Sequence, residues 1–107
     1  MSYDVHIGNE SFNYTWNLAK LFYDHIEDRG NGGGLNELMG LRGKDAAFVL
    51  KRGIENMRST YRNGGKENMR RRYDAENGWG SVEGAILFVS EIMAACYENP
   101  RKKVRVG

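Results

Sequence analysis

One cysteine, one proline and two histidines in 107 residues remove several possibilities at once. Cys96 alone cannot close an internal disulfide, and no second thiol or spaced imidazole joins it in a zinc pattern. There is no HExxH sequence, no nearby Cys–His pair and no pair of carboxylates at a suggestive apolar position. The reading is therefore a non-enzyme with no cofactor and no metal. No apolar run approaches the roughly 18 residues of a membrane helix, and no charged-then-apolar leader opens the chain, so a soluble intracellular protein without membrane contact is expected. Cys96 falls on an apolar helical face and reads as a buried, inert thiol.

Glycine is abundant where proline is scarce: 14 residues, clustered rather than repeating, which indicates several shaped loops in one domain spanning residues 1–107. The net charge is only +2, but it is segregated. Residues 1–41 carry two basic and six acidic side chains, whereas residues 42–72 carry ten basic and three acidic ones. The basic middle can attract anionic partners. The low total charge and the acidic first 41 residues argue against nucleic acid.

Periodicity supplies the elements. Tyr3, Val5 and Ile7 alternate with polar residues as in a short strand, with His6 on the wet face, and Gly8 to Ser11 read as its end. Asn13 to Asn17 read as the entry to a helix continuing to about Arg29, with Trp16, Ala19, Tyr23 and Ile26 on one stripe and Leu18, Leu21 and Phe22 widening it. His25 lies near that helix's C-terminal turn, where a cation suits the dipole. Gly30 to Gly34 end the helix and read as a mobile connector, since the phosphate-loop and dinucleotide fingerprints both fail there. Leu35 to Met39 form one helical turn.

A second long helix is expected from about Asp45 to Tyr61 on the seam Ala47, Leu50, Ile54, Met57 and Tyr61, with Gly53 marking a close approach. A short helix around Met69 and Tyr73 carries Arg70, Arg71 and Arg72. The last helix is expected from Val82 to Glu98, on Val82, Ile86, Val89, Met93 and Cys96 with Ala85, Ile92 and Tyr97 beside them, stopped by Asn99-Pro100. Residues 101–106 alternate again. The fold class is α+β and mainly helical: three principal helices with a small two-stranded ribbon pairing the termini.

The candidate site is the turn Asn77-Gly78-Trp79-Gly80-Ser81. Flanking glycines let the backbone aim an indole, and Ser81 can cap the helix that follows. Trp79 either plugs the core over that helix start or, with the free N–H groups there, lines a site for a ligand or partner. Arg70, Arg71 and Lys44 could add charge, and Asn13 and Asn17, beside aromatic residues, could recognise a planar polar ligand. Tyr, Trp, Arg and Asn of this kind suit a nucleotide-like anion, and they suit a protein interface equally well.

Asn13-Tyr14-Thr15-Trp16-Asn17, Leu41-Arg42-Gly43-Lys44, Asn77-Gly78-Trp79-Gly80 and Cys96-Tyr97-Glu98-Asn99-Pro100 together resemble small proteins of tailed phages that infect actinobacteria. The resemblance covers nearly the whole chain and brings no catalytic residues. It implies a phage accessory protein in the host cytoplasm. The first function expected is anti-defence sequestration of a nucleotide-like small molecule, in a possible homo-oligomer. The second is binding and inhibition of a host protein through an aromatic and basic surface.

Overall fold

Residues 10–15, expected to end a strand and lead into a helix, instead form a second strand. A computed structural model describes residues 2–107. In it Ser2–Ile7 (β1) and Glu10–Thr15 (β2) make an antiparallel hairpin with Ile7 opposite Glu10. The two-residue loop is Gly8-Asn9, with Gly8 at φ +59° and no positive φ at Asn9, the pattern of a type II′ turn whose twist suits a hairpin. Phe12 and Tyr14 are partly buried against the core, while Ser11 and Asn13 face outward. The period-2 alternation thus resumes after the two-residue turn with its phase shifted by one residue.

The rest of the order is a 3₁₀ turn, Trp16–Leu18, running into Ala19–His25 (α1), a 3₁₀ segment Gly34–Leu38, Gly43–Gly64 (α2), Lys66–Tyr73 (α3), Val82–Glu98 (α4) and Arg105–Val106 (β3). β3 pairs with β1, Val5 opposite Val106, so the expected pairing of the first and last strands is present. The sheet has three strands in the order β2-β1-β3, not two. α4 keeps its expected bounds, and α2 extends beyond those expected at both ends.

α1 stops at His25 rather than near Arg29. Leu18, Leu21, Phe22 and Ile26 fill the core while Trp16 and Tyr23 stay about half exposed. Tyr97 is likewise exposed, on the outer side of α4. The α2 seam Ala47, Leu50, Ile54 and Met57 is buried, and α2 packs along an antiparallel α4 whose Val82, Val89, Ile92 and Cys96 are buried in the same core. At the start of α2 a Cβ on Gly43 would collide with the carbonyl oxygens of Asn99 and Cys96, so only glycine lets these backbones meet. At Gly53 a Cβ would stand 3.0 Å from Ile26, which is the close approach expected there.

The Gly30–Gly34 segment is a folded loop, not a loose connector. Gly30, Gly32, Gly33 and Gly34 all have positive φ. This conformation turns backbone N–H groups toward the Glu37 carboxylate, which is only 1% exposed. Glu37 accepts from Arg29 N at 2.6 Å, Asn31 N at 3.0 Å and Gly33 N at 2.8 Å. Three donors compensate the burial of one charge.

Candidate functional site

The segment between α3 and α4 is closed by its own first residue. Asp74 accepts from Val82 N at 2.8 Å, joining the two ends of the loop. Inside it, Ala75 N donates to Gly80 O and Gly78 N to Ala75 O, and Trp79 N donates to Asn77 Oδ1 at 3.0 Å. Gly78 and Gly80 supply the positive φ values, +77° and +120°, that this path needs. A side chain at Gly80 would also run into Leu18 and Thr15.

The hairpin clamps the loop from outside. The Tyr14 hydroxyl accepts from Ser81 N and donates to Ser81 O, both at 3.1 Å. Its ring stacks on Phe88 with centroids 5.1 Å apart. Asn17 donates its side-chain amide to Trp79 O at 3.0 Å. The backbone around residue 79 is therefore pinned on both sides, yet the indole is 73% exposed. Trp79 therefore does not plug the core.

The N-terminus of α4 is already occupied. Ser81 caps Gly84 N at 3.0 Å, Asp74 takes Val82 N, and Tyr14 takes Ser81 N. The free N–H groups expected beside Trp79 are thus engaged, and Asp74 and Glu83 place negative charge where an anion would sit. Arg70 donates to Glu83 at 2.7 Å and to Glu67 at 3.0 Å, so two carboxylates already share its charge. That pairing raises the Arg70 pKa, chiefly through the Glu83 hydrogen bond. At Glu83 partial burial disfavours the charge, but hydrogen bonds from Arg70 and from its own backbone outweigh this and lower its pKa.

The expected site residues separate into groups. Asn77, Gly78, Trp79, Ser81 and Asn17 come together in the clamped loop. Asn13 lies on the outer face of the sheet, donating to Ser2 and to Asp4 at 2.8 Å. Arg71 is exposed on α3 and forms no ion pair among the described residues. Lys44 is in the first turn of α2, against the C-terminal end of α4. Since α4 has 17 residues and rises about 1.5 Å per residue, Lys44 stands roughly 25 Å from the Trp79 turn.

Beside the loop is a groove of about 450 Å³ lined by Asn17, Lys20, Arg72, Tyr73, Glu76 and Asn77, among others. The Tyr73 hydroxyl donates to Asp24 at 2.7 Å, and Lys20 pairs with the same carboxylate oxygen at 2.8 Å. The Lys20 bond, with that from Tyr73, holds the Asp24 pKa below the usual carboxylate value. Burial, followed by the bond to Asp24, pushes the Tyr73 phenol up to about 12. Arg72 lies over the Tyr73 ring at 5.4 Å. Sequence reasoning missed Lys20 and Tyr73 as groove residues, and Asp24 as the carboxylate that joins them. The spacing Lys20–Asp24 was a legible i,i+4 pair, but nothing local connects it to Tyr73, 49 positions away.

Among the described residues no group of three His, Cys, Asp or Glu side chains could hold a metal ion, and no helix is long and apolar enough to cross a membrane. Comparison with protein-family models, with curated proteins and with solved structures finds no match to this chain.

Proposed function

We propose that this chain is a non-enzymatic binding protein whose Trp79 loop engages a protein partner. One observation carries the reading: an indole 73% exposed on a backbone fixed by Tyr14, Asn17, Asn77 and Asp74. A rigid loop loses little entropy when it docks, and exposed Trp is the side chain that most often anchors an interface. The groove beside it mixes Lys20 and Arg72 with Asp74 and Glu76, a polar rim of both signs. Such a rim complements a protein surface better than it does a multiply charged anion. The phage resemblance of the same turn makes the partner a host protein in the host cytoplasm, and the chain an accessory factor that inhibits it.

The second reading is capture of a nucleotide-like small molecule, and it rests on the groove itself. Its volume falls in the range of small-ligand sites, and Arg72 and Lys20 could meet one phosphate while a base stacks on Trp79.

A photo-crosslinker at position 79, used in cells that make the protein, identifies the partner. The purified partner is then titrated against wild type and Trp79→Ala. A hot-spot Trp is worth about 2 kcal/mol or more, roughly thirtyfold in Kd. Equal affinity for both proteins refutes the proposal. If instead a nucleotide panel binds wild type and not Trp79→Ala or Arg72→Gln, the second reading replaces the first.

A further inference from the structure

The end of the molecule away from Trp79 collects positive charge from two distant parts of the sequence. Residues 40–44 are stitched to residues 100–104 by backbone bonds: Gly40 N to Val104 O, Val104 N to Leu41 O, Gly43 N to Lys102 O and Lys44 N to Pro100 O, all between 2.8 and 3.0 Å. Arg42 and Lys103 are directly opposite in an antiparallel bridge. Arg42, Lys44, Arg101, Lys102, Lys103 and Arg105 are all exposed. None of the six forms an ion pair among the described residues.

Directly opposite residues in an antiparallel pair project to the same side, and like charges so placed destabilise the fold. Here the chain sets Arg42 against Lys103, and neither forms an ion pair among the described residues. The outward row continues by the two-residue period of extended chain, because Val104 between them is fully buried and Arg105 returns to the surface. Arg105 is paired with His6, and His6 is paired in turn with Ser11, whose hydroxyl lies 2.8 Å from His6 Nδ1. Cations along the edge therefore lead into a polar sheet face. Its one carboxylate near this row, Asp4, is engaged by Asn13.

We infer that this edge binds the phosphate backbone of nucleic acid. Lys103 and Arg105, about 6.6 Å apart along extended chain, are spaced like neighbouring phosphates, with Arg42 beside Lys103, and the adjoining hydroxyl and imidazole groups are the kind that contact phosphate and sugar. A membrane-docking patch adds an apolar wedge, and the row from Lys103 through Arg105, His6 and Ser11 contains none. Of the acidic residues in the N-terminal part Asp4 adjoins this edge, and the local density of cations rather than the low net charge of the chain governs the attraction of phosphate. The edge is also separate from the Trp79 loop, so either assignment can fail without the other.

The test is fluorescence anisotropy of labelled, mixed-sequence single-stranded and duplex DNA at salt from about 50 to about 200 mM, with flotation on phosphatidylcholine–phosphatidylserine vesicles alongside. The variant Arg42→Gln/Lys103→Gln/Arg105→Gln is compared with a charge-matched control, Arg58→Gln/Arg62→Gln/Lys66→Gln. Each lost phosphate contact removes about 0.9 from the log–log salt slope on duplex and about 0.7 on single strands, so the edge variant should lose roughly two to three units of slope and at least about tenfold in affinity at low salt. The control should keep the wild-type slope within about one unit. Lys103→Glu should raise the melting temperature, by relieving the facing charges, and still weaken DNA binding. No DNA binding by wild type at low salt, equal losses in both triple variants, wild-type binding by Lys103→Glu, or flotation with vesicles in place of DNA binding would each overturn the inference.

Discussion

Glu37→Gln isolates the interaction that shapes the glycine-rich loop. In the native loop Oε2 accepts from both Asn31 N and Gly33 N, and Oε1 accepts from Arg29 N. Glutamine can place its one carbonyl oxygen where Oε2 stands, but its amide nitrogen then faces the Arg29 N–H. One charge-assisted bond is lost, two become neutral, and two donors confront each other in a site that is 1% exposed. With about 1.5–3 kcal/mol for a bond to a charged group and about half that for a neutral one, the expected cost is about 3–6 kcal/mol. That is a large part of the roughly 5–15 kcal/mol typical of a domain. Glu37→Ala, which leaves all three N–H groups without an acceptor, should cost more. Urea denaturation gives the free energies, and hydrogen exchange at Asn31 and Gly33 gives the local effect. A loss below about 1 kcal/mol in Glu37→Gln, with exchange at those amides unchanged, would refute this account of the loop.

Ile54→Asp places an unpaired charge on the buried α2 seam and should unfold the domain; retention of the wild-type melting temperature would contradict the packing. Cys96 is fully buried and burial pushes its thiol up to about 11, so the folded protein should resist thiol reagents that label the denatured chain readily. Tyr73 carries a raised pKa of about 12 against an ordinary value near 10, so its contribution is complete below pH 10 and is lost as pH rises toward 12. Asp24, lowered by its Lys20 and Tyr73 bonds, contributes above the ordinary carboxylate range and loses this as pH falls through its folded pKa. Tyr73→Phe should therefore flatten the alkaline limb of a stability–pH curve, and Asp24→Asn the acid limb; unchanged limbs would show that these bonds do not persist in solution.

The helices were legible because α2 and α4 bury continuous stripes, and Ser81 and Asn99-Pro100 mark the ends of α4 in the sequence itself. The β2 strand was legible too, in Gly8-Asn9 followed by alternating Phe12 and Tyr14, but the Asn and Thr residues that follow are also good helix caps and drew the boundary too early. The role of Glu37 was not legible. A glutamate in a short helical turn is ordinarily solvated, and only the positive-φ path of four glycines brings three N–H groups to it. At the site, the turn follows from local chemistry at Asn77 to Ser81, but whether its indole plugs the core or points outward was not legible there. The clamp by Tyr14, the occupied helix start, and the distance to Lys44 all depend on tertiary placement across tens of residues.

The central claim is that Trp79 is held outward for a partner. It is tested most directly by the emission of Trp79 in a Trp16→Phe background, where it is the sole indole. Acrylamide should quench the free protein strongly. Addition of the partner captured from position 79 should suppress that quenching in step with binding measured by calorimetry. Strong quenching that persists at saturating partner, or weak quenching in the free protein, would contradict the account.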